Sequence, residues 1–177
     1  MEPFSPEERA KYASAQLSLV LSFFSRVDSR LALIVGVDIS MVAFLASVLP
    51  PVNKWDAHTL ITLLPAFCIG MSLYNAREAL FPDLKGGMLE DGKTSLVFFG
   101  TVSKRSEREF IDAFNTQTTH DYARDLLGQV WRNSKILSVK FERLKNAFFW
   151  MLAALPAWLV ALGVFANMNP SAKTFLR

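Results

Sequence analysis

One short run in the middle of the chain has the spacing of a phosphate-binding loop. Residues 87–94 read GMLEDGKT, which satisfies the pattern GxxxxGK[ST]. Such a loop binds phosphate only when a strand precedes it and a helix follows it, so that backbone amides converge on the anion. Here an apolar helical segment and Pro82 precede the run, and the carboxylates of Glu90 and Asp91 would repel a phosphate. We therefore expect a flexible glycine-rich loop that matches the pattern by chance.

An acidic residue within an apolar stretch is the second candidate. Asp38 lies about 10 Å along the helix from Leu31, where the stretch starts, at a rise of 1.5 Å per residue. A charge at mid-membrane costs roughly 2.5–3.5 kcal/mol on insertion scales, so such a residue is a functional candidate by default. At a matching depth the other apolar stretches offer Ser72 and Cys68. We expect a carboxyl that is protonated, hydrogen-bonded between helices or in contact with water, and two roles stay open: a polar packing residue, or part of a pore or gate.

Basic side chains gather where the apolar stretches meet the polar segments. They are Arg26, Arg30, Arg77, Lys104, Lys140 and Arg143. Each one alone is typical of ordinary placement at a membrane interface. Together they predict a positive ring at the mouth of a helix bundle, which would suit an anionic ligand or the headgroups of acidic lipids. If the ligand is a nucleotide, Phe98 and Phe99 are candidates for stacking on its base, although both also suit a packed core.

Residues for catalysis or metal binding are few and scattered. The two histidines are His58 and His120, and the single cysteine, Cys68, lies within an apolar stretch. The sequence has no nucleophile beside a base and no metal-ligand spacing. The net charge of +3 comes from interleaved acidic and basic residues, which argues against a nucleic-acid surface. We therefore expect no enzyme, no cofactor and no bound metal.

Three apolar stretches set the architecture that positions these candidates. They cover residues 31–50, 57–76 and 147–166. About twenty residues at 1.5 Å each match a hydrocarbon core of roughly 30 Å, and in lipid such a stretch satisfies its own backbone only as a helix. Pro65 and Pro156 fall within the second and third stretches and are expected to kink them. The alternative is three buried helices of a soluble bundle, which such lengths disfavour.

The distribution of lysine and arginine predicts the orientation. Sixteen of these residues lie in residues 1–30 and 77–146, and three lie in the connection after the first stretch and in the tail, residues 167–177. Positive segments stay on the cytoplasmic side. We therefore expect the N-terminus and the long central segment in the cytoplasm, and the C-terminus on the periplasmic or external side of a bacterial inner membrane.

Both cytoplasmic segments show helical periodicity. Apolar residues recur at intervals of three and four from Ala10 to Leu31 and, with one serine, from Ala123 to Phe148. Such stripes are typical of coiled-coil-like seams, so we expect long helices that pair within one chain or between chains. For the N-terminal stripe, an interfacial helix on the lipid surface stays an alternative. The sequence thus predicts an all-α integral membrane protein: three transmembrane helices with long amphipathic cytoplasmic helical extensions.

Two shorter features lie between the second and third stretches. Ser106 followed by Glu109 has the spacing of a capping box and predicts a short helix that ends in residues 115–119. The apolar run 95–102 is too short to span a bilayer. We expect it to form an extended or re-entrant piece that packs close to the membrane.

The order of these parts resembles a known family. DSR (28–30) leads into the first stretch, and LVFFG (96–100) follows the second. EREF (107–110), LLGQV (126–130) and KILSVKFERL (135–144) then precede the last stretch. In this order, over nearly the whole chain, the sequence resembles the transmembrane effectors of the Pycsar antiphage systems. The Phe-Phe-Gly box and the later Lys-x-x-x-Leu run are the most specific part of the resemblance.

The resemblance implies an effector that waits in the bacterial inner membrane. A partner cyclase that senses phage makes a cyclic pyrimidine mononucleotide, cUMP or cCMP; the effector responds, the membrane loses integrity, and the cell dies before phage are released. We expect the ligand to bind near the basic ring and to shift the paired helices, with a homo-oligomer opening a polar path. Two alternatives stay open: a non-enzymatic membrane anchor or interaction protein without nucleotide affinity, and a small channel subunit in which Asp38→Asn alone would abolish function.

Overall fold

The computed structural model describes residues 4–49, 57–81 and 94–168, and all six regular elements in these ranges are helices. They are α1, Pro6–Val48; a 3-10 helix, Ala57–Thr62; α2, Leu63–Leu80; α3, Phe99–Val102; α4, Glu107–Thr116; and α5, Thr119–Met168. The segments long and apolar enough to cross a membrane are Pro6–Ser47, Thr59–Leu80 and Thr119–Phe165. The predicted all-α membrane architecture with three transmembrane helices is confirmed, whereas the limits of each span in the bilayer stay a prediction.

A capping box begins α1. The Ser5 hydroxyl accepts a hydrogen bond from the Glu8 amide at 3.2 Å, and the Glu8 carboxylate accepts one from the Ser5 amide at 3.0 Å. This exchange satisfies two amides at the start of the helix, and the charge of Glu8 suits the positive end of the helix dipole. From there α1 runs unbroken for 43 residues, roughly 65 Å at 1.5 Å per residue. It is therefore long enough to hold both a polar extension and a span.

The chain folds as two compact units. The first, the loop unit, comprises Met1–Arg26 and Pro82–Val139; the second, the membrane unit, comprises Val27–Phe81 and Lys140–Arg177. Helices α1 and α5 each contribute residues to both units, whereas α2 belongs to the membrane unit and α3 and α4 belong to the loop unit. The boundary between the units therefore falls inside two unbroken helices.

Small residues recur on the buried face of α5 in the membrane unit. Ala147, Ala154 and Ala161 lie seven residues apart and are fully shielded. Ala154 packs in a buried cluster with Met41 of α1 and Cys68 of α2. Helices in lipid gain little from burying apolar area, so small residues that let the backbones approach closely hold them together. The three spans are joined through this alanine face.

The apolar stripe predicted along α1 is confirmed. Ala13, Val20, Val27 and Leu31 are all buried, at intervals of seven, seven and four residues. These intervals keep one face of a 3.6-residue helix directed at its neighbours. The same stripe therefore serves the polar extension of α1 and the start of its span.

The apolar stripe predicted along α5 is only half right. Ala123 and Leu144 are buried as predicted, but Leu127, Phe141 and Phe148 are exposed. The buried face is the neighbouring one, which also carries polar side chains whose partners lie elsewhere in the chain. A pattern that counts apolar residues alone assigns such polar positions to the surface.

The second span begins differently from the prediction. Residues 57–62 form a 3-10 helix, and α-helical bonding starts at Leu63. Pro65 is the third residue of α2, and a proline in the first turn lacks no α-helical hydrogen bond. Pro65 thus stands at the start of an α-helix rather than interrupting one, whereas Pro156 does lie inside α5.

The features predicted between the second and third spans have different outcomes. The capping box is confirmed: Ser106 and Glu109 exchange hydrogen bonds, and α4 ends at Thr116. Residues 99–102 form the short helix α3 rather than an extended segment, whereas residues 95–98 are not helical. That the run 95–102 re-enters or lies close to the membrane stays a prediction. Most of the glycine-rich run, residues 87–93, lies outside the described residues.

Candidate gating and ligand-binding sites

A buried polar junction joins the three helices of the membrane unit at Asp38. The Ser72 hydroxyl oxygen on α2 lies 2.6 Å from Oδ2 of Asp38 on α1 and 3.0 Å from the carbonyl oxygen of Ala147 on α5. Asp38 and Ser72 are both fully shielded. Among the described residues, Oδ1 of Asp38 has no hydrogen-bond partner. Of the two residues that the sequence placed at a matching depth, Ser72 is therefore in direct contact with Asp38, whereas Cys68 packs in the apolar cluster with Met41.

The hydrogen count at this junction favours a neutral Asp38. Ser72 has one hydroxyl hydrogen but lies between two acceptor oxygens. If Asp38 carries a proton, its hydroxyl donates to Ser72 and Ser72 donates to Ala147, so both contacts are satisfied. An ionised carboxylate would leave one contact unsatisfied and place a charge where water cannot solvate it, which is costly. The neutral form gives a continuous chain of hydrogen bonds across three helices.

An ion pair joins α1 and α5 in the same unit. Nζ of Lys140 lies 2.6 Å from Oδ1 of Asp28. The Lys140 side chain is 6% exposed, whereas that of Asp28 is 44% exposed. A shielded ammonium is tolerated only when it is paired, so this contact sets the register of α5 against α1. Lys140, a predicted ligand residue, is engaged by Asp28 in this conformation.

Two other predicted basic residues have polar neighbours on α2. Nη1 of Arg143 donates to Oδ1 of Asn75 at 3.3 Å, and the buried Asn75 amide group donates in turn to the Met71 carbonyl oxygen at 2.8 Å. Arg77 lies 3.5 Å from Glu78, and its side chain is 72% exposed. Exposed pairs of this kind contribute little to stability. Arg143 is thus held by α2, whereas Arg77 forms an exposed ion pair with its sequence neighbour Glu78.

Arg30 lies at a groove between α1 and α5. The groove has a volume of about 530 Å³. Arg30 and Lys145 are the charged residues that line it, and the other lining residues are all apolar. The groove therefore has a cationic portion and a hydrocarbon-like portion within one unit.

In the loop unit, a buried carboxylate on α5 holds the LVFFG box. The Asp125 carboxylate accepts hydrogen bonds from the Ser95 hydroxyl at 2.7 Å and from the amides of Leu96 at 2.7 Å and Val97 at 3.2 Å. The Ser95 oxygen also accepts from the Gln129 side chain at 3.0 Å. Ser95, Asp125 and Gln129 are all buried. A satisfied buried network of this kind fixes one loop conformation.

The glycine of the LVFFG box allows a close approach by Phe98. A Cβ added to Gly100 would lie 2.6 Å from Cε1 of Phe98, so only glycine leaves room for the ring there. The rings of Phe98 and Phe99 have their centres 4.9 Å apart. Phe99 is 70% exposed, whereas Phe98 is half-buried. The box therefore presents one aromatic ring outward and packs the other.

The structure divides the predicted ligand residues between the two units. Arg26, Phe98, Phe99 and Lys104 belong to the loop unit, and Arg30, Arg77, Lys140 and Arg143 belong to the membrane unit. Lys104 is exposed, and the Arg26 guanidinium lies 5.2 Å from the centre of the Phe23 ring on its own helix. The ring predicted from the sequence therefore draws its residues from both units. The ring itself and its role in ligand binding stay predictions.

Sequence reasoning missed the residues that hold these sites in place. Asp125 and Gln129 lie four residues apart on one helical face of a largely apolar segment, and both are buried. Paired polar residues at that spacing, inside an apolar stripe, were the available signal. Asn75 lies three residues after Ser72 on the buried face of α2 and could have been found in the same way.

A comparison with protein families gives a match over nearly the whole chain. A profile of the Pycsar effector protein domain matches residues 12–167. The chain belongs to the Pycsar effector family. The resemblance that the motif order predicted is therefore confirmed, and this Pycsar effector has three helices long and apolar enough to span a membrane. Within the described ranges, no group of three or more His, Cys, Asp or Glu side chains is placed to hold a metal ion.

One curated relative shows how far the similarity extends. The Pycsar effector protein GmPycTM of Gulbenkiania mobilis is 32% identical over 73 residues. That match covers 41% of this Pycsar effector and 37% of the relative's length. No solved structure matches the chain.

Proposed function

We propose that this Pycsar effector is switched by a cyclic pyrimidine mononucleotide, cUMP or cCMP, and then disrupts the bacterial inner membrane, so that the infected cell dies. Two unbroken helices support the proposal most directly. α1 has 43 residues and α5 has 50, and each contributes to both units. Because an α-helix is stiff, a shift or rotation imposed at one end is transmitted along its axis rather than absorbed at a hinge.

We place the ligand contacts in the loop unit. Phe99 exposes an aromatic face that suits a pyrimidine base, and stacking of a base on an aromatic side chain contributes roughly 1–3 kcal/mol. The exposed ammonium of Lys104, five residues further on, suits the cyclic phosphate, and Arg26 is a second candidate for it. Asp125 holds the box that carries Phe99, so the aromatic face is preorganised before the ligand binds.

Two of the predicted ligand residues have another role in this proposal. Lys140 is engaged by Asp28 and Arg143 by Asn75, so these pairs hold the resting arrangement of the membrane unit. A ligand shifts an equilibrium only by its difference in affinity for the two states. We infer that the nucleotide binds better to a second arrangement, in which Lys140 and Arg143 no longer contact Asp28 and Asn75.

Asp38 is the gating residue of the proposal. In the resting state Oδ2 of its carboxyl is hydrogen-bonded to the Ser72 hydroxyl between helices. When α1 moves against α2, the carboxyl loses this partner and needs water, which draws a polar path into the bilayer. We further propose that several copies assemble around such a path, with the N-terminus in the cytoplasm and the C-terminus outside, as the distribution of lysine and arginine predicts.

Membrane potential measured in living cells tests the proposal. The effector is expressed in a bacterial host together with its partner cyclase or with a catalytically inactive form of that cyclase, and a voltage-sensitive dye is followed. We expect depolarisation only with the active cyclase. Phe99→Ala should abolish it, whereas Ile111→Ala, which removes another exposed apolar side chain of the loop unit, should leave it unchanged.

The other function classes give opposite results in the same cells. A passive anchor or interaction protein gives no depolarisation with either cyclase. A constitutive channel subunit depolarises the membrane without an active cyclase. Either result would contradict nucleotide gating. If Phe99→Ala leaves the depolarisation unchanged, the nucleotide does not bind at the LVFFG box.

A further inference from the structure

The groove between α1 and α5 holds two cations that no described residue neutralises. Arg30 and Lys145 both line it, and within the described ranges neither has an ion-pair or hydrogen-bond partner. Lys140, by contrast, is paired with Asp28. Two uncompensated cations on the walls of one groove create a local positive potential that favours an anion.

Beyond these cations the walls of the groove are apolar. Leu33 and Val37 line it from α1, and Phe148 and Met151 line it from α5. From Arg30 to Val37 the helical rise is roughly 10 Å, so the apolar part extends well into the hydrocarbon region. The groove thus combines a cationic end with a long apolar trough, which is the shape and polarity of a phospholipid site.

We propose that this groove binds one anionic phospholipid, with its headgroup phosphate on Arg30 and Lys145 and one acyl chain along the apolar walls. Charge complementarity selects this occupant. A zwitterionic lipid carries a compensating cation, so the two basic residues attract it less. A helix from a second copy would bring the same basic residues to the same depth, and like charges repel.

The headgroup rather than the acyl chain provides the selectivity. In a bilayer the chain exchanges one hydrocarbon environment for another, so contact with Leu33 and Phe148 contributes shape but little preference. The two cations supply the difference between lipid classes. Because Arg30 belongs to α1 and Lys145 to α5, a bound lipid also bridges the two helices that the Asp28–Lys140 pair joins.

Native mass spectrometry of the full chain in a mild detergent tests this site. Phosphatidylglycerol and phosphatidylcholine with identical acyl chains are added in equal amounts, and the retained lipids are counted. We expect phosphatidylglycerol to be retained roughly thirtyfold over phosphatidylcholine, since two juxtamembrane cations should each favour the anionic lipid by a similar factor. Arg30→Gln combined with Lys145→Gln should abolish the preference. Lys11→Gln combined with Arg108→Gln removes the same charge at exposed positions in the loop unit and should leave it intact.

Three results would overturn the proposal. The first is equal retention of the two lipids by the wild-type chain, or the same loss of preference in both double variants. The second is displacement of phosphatidylglycerol by cUMP or cCMP in direct competition, which would assign the groove to the nucleotide. The third is efficient disulfide cross-linking of two copies through Val37→Cys in membranes, which would assign the groove to a second chain.

Discussion

Oδ2 of Asp38 and the hydroxyl oxygen of Ser72 lie 2.6 Å apart, and both side chains are fully shielded. The contact joins α1 to α2, and the same hydroxyl reaches the carbonyl oxygen of Ala147 on α5. Hydrocarbon offers no replacement for a lost hydrogen bond, so any movement that separates the pair leaves polar groups unsatisfied. This one serine therefore links the positions of all three spans.

Ser72→Ala should weaken the membrane unit and raise the resting leak. Interhelical hydrogen bonds in membranes contribute about 0.6 kcal/mol on average and up to roughly 1.7 kcal/mol, and Ser72 makes contacts with two helices. We expect a loss of about 1 kcal/mol in unfolding free energy in detergent, near the middle of that range. Thermal unfolding and dye leakage from liposomes without nucleotide measure the two effects.

Ser40→Ala is the matched control for this change. The exposed Ser40 hydroxyl donates to the Gly36 carbonyl oxygen of its own helix at 2.8 Å, so its removal breaks no contact between helices. It should leave both unfolding and leakage unchanged. An equal effect of the two substitutions would show that the junction at Asp38 does not hold the spans together.

The Asp28–Lys140 pair should respond unequally to removal of its two members. Asp28→Ala leaves the shielded ammonium of Lys140 without this partner, whereas Lys140→Met leaves a half-exposed carboxylate that water can solvate. We expect the first change to destabilise by roughly 1–3 kcal/mol, below the full 3–5 kcal/mol of a buried pair, and the second by less than 1 kcal/mol. The unfolding midpoints of the two variants, measured in the same detergent, test this difference. Equal losses would mean that the two side chains are equally solvated.

The sequence correctly predicted the buried face of a helix where that face carries apolar residues alone. The stripe through Ala13 and Val20 is buried as predicted, because α1 carries an apolar residue at each position of that face. The face of α5 was misjudged because its buried positions include Asp125 and Lys140. Lys140 is neutralised by Asp28, a residue 112 positions away. A local pattern cannot report that a distant partner makes the burial of a polar residue possible.

Substitution of Asp125 should destabilise the loop unit more than substitution of its other residues. Its carboxylate accepts three hydrogen bonds from Ser95, Leu96 and Val97, and Asn at this position would direct an amide donor at other donors. We expect Asp125→Asn to cost about 2 kcal/mol, in the range for hydrogen bonds to a charged group. It should also expose residues 95–102 to limited proteolysis. Asp112→Asn, at an exposed position on α4, should change neither the unfolding free energy nor the protease sensitivity. If Asp125→Asn leaves residues 95–102 resistant to protease, the assigned hydrogen-bond network is contradicted.

The start of α4 should depend on pH through Glu109. The hydrogen bond from the Ser106 amide to the Glu109 carboxylate, at 2.9 Å, and that involving the Ser106 hydroxyl hold the pKa of Glu109 below its usual value. A lowered pKa in the folded state means that the stabilisation is fully present above the usual pKa. It is lost as the pH falls through the lowered value.

The NMR shift of the Ser106 amide against pH measures this dependence. We expect a titration midpoint below the usual range of a glutamate, with the shift constant at neutral pH. Glu109→Gln keeps an acceptor in the capping box but cannot ionise, so its Ser106 amide should not titrate in this range. A midpoint at or above the usual value would mean that the carboxylate is not bonded to the cap.

Gly100 and Phe98 should be coupled in a double-mutant cycle. In Gly100→Ala the new methyl group would lie 2.6 Å from Cε1 and 3.0 Å from Cζ of Phe98, so the ring must move. Overpacking typically costs roughly 1–3 kcal/mol. Alanine within a helix gains up to about 1 kcal/mol over glycine, and Gly100 lies inside α3. The two effects oppose each other, and we expect a net destabilisation of about 1 kcal/mol together with a weaker nucleotide response, because the displaced ring lies against Phe99.

In a Phe98→Leu background the sign should reverse. Leucine lacks the two ring atoms that the new methyl group would meet, so the overpacking disappears while the helix propensity of alanine remains. Gly100→Ala should then be neutral or stabilising, which gives a favourable interaction energy between the two substitutions. Unfolding free energies of the four chains measure it. If the two losses simply add, the ring of Phe98 does not pack over Gly100, and the glycine of the box must be explained by something other than the close approach of this ring.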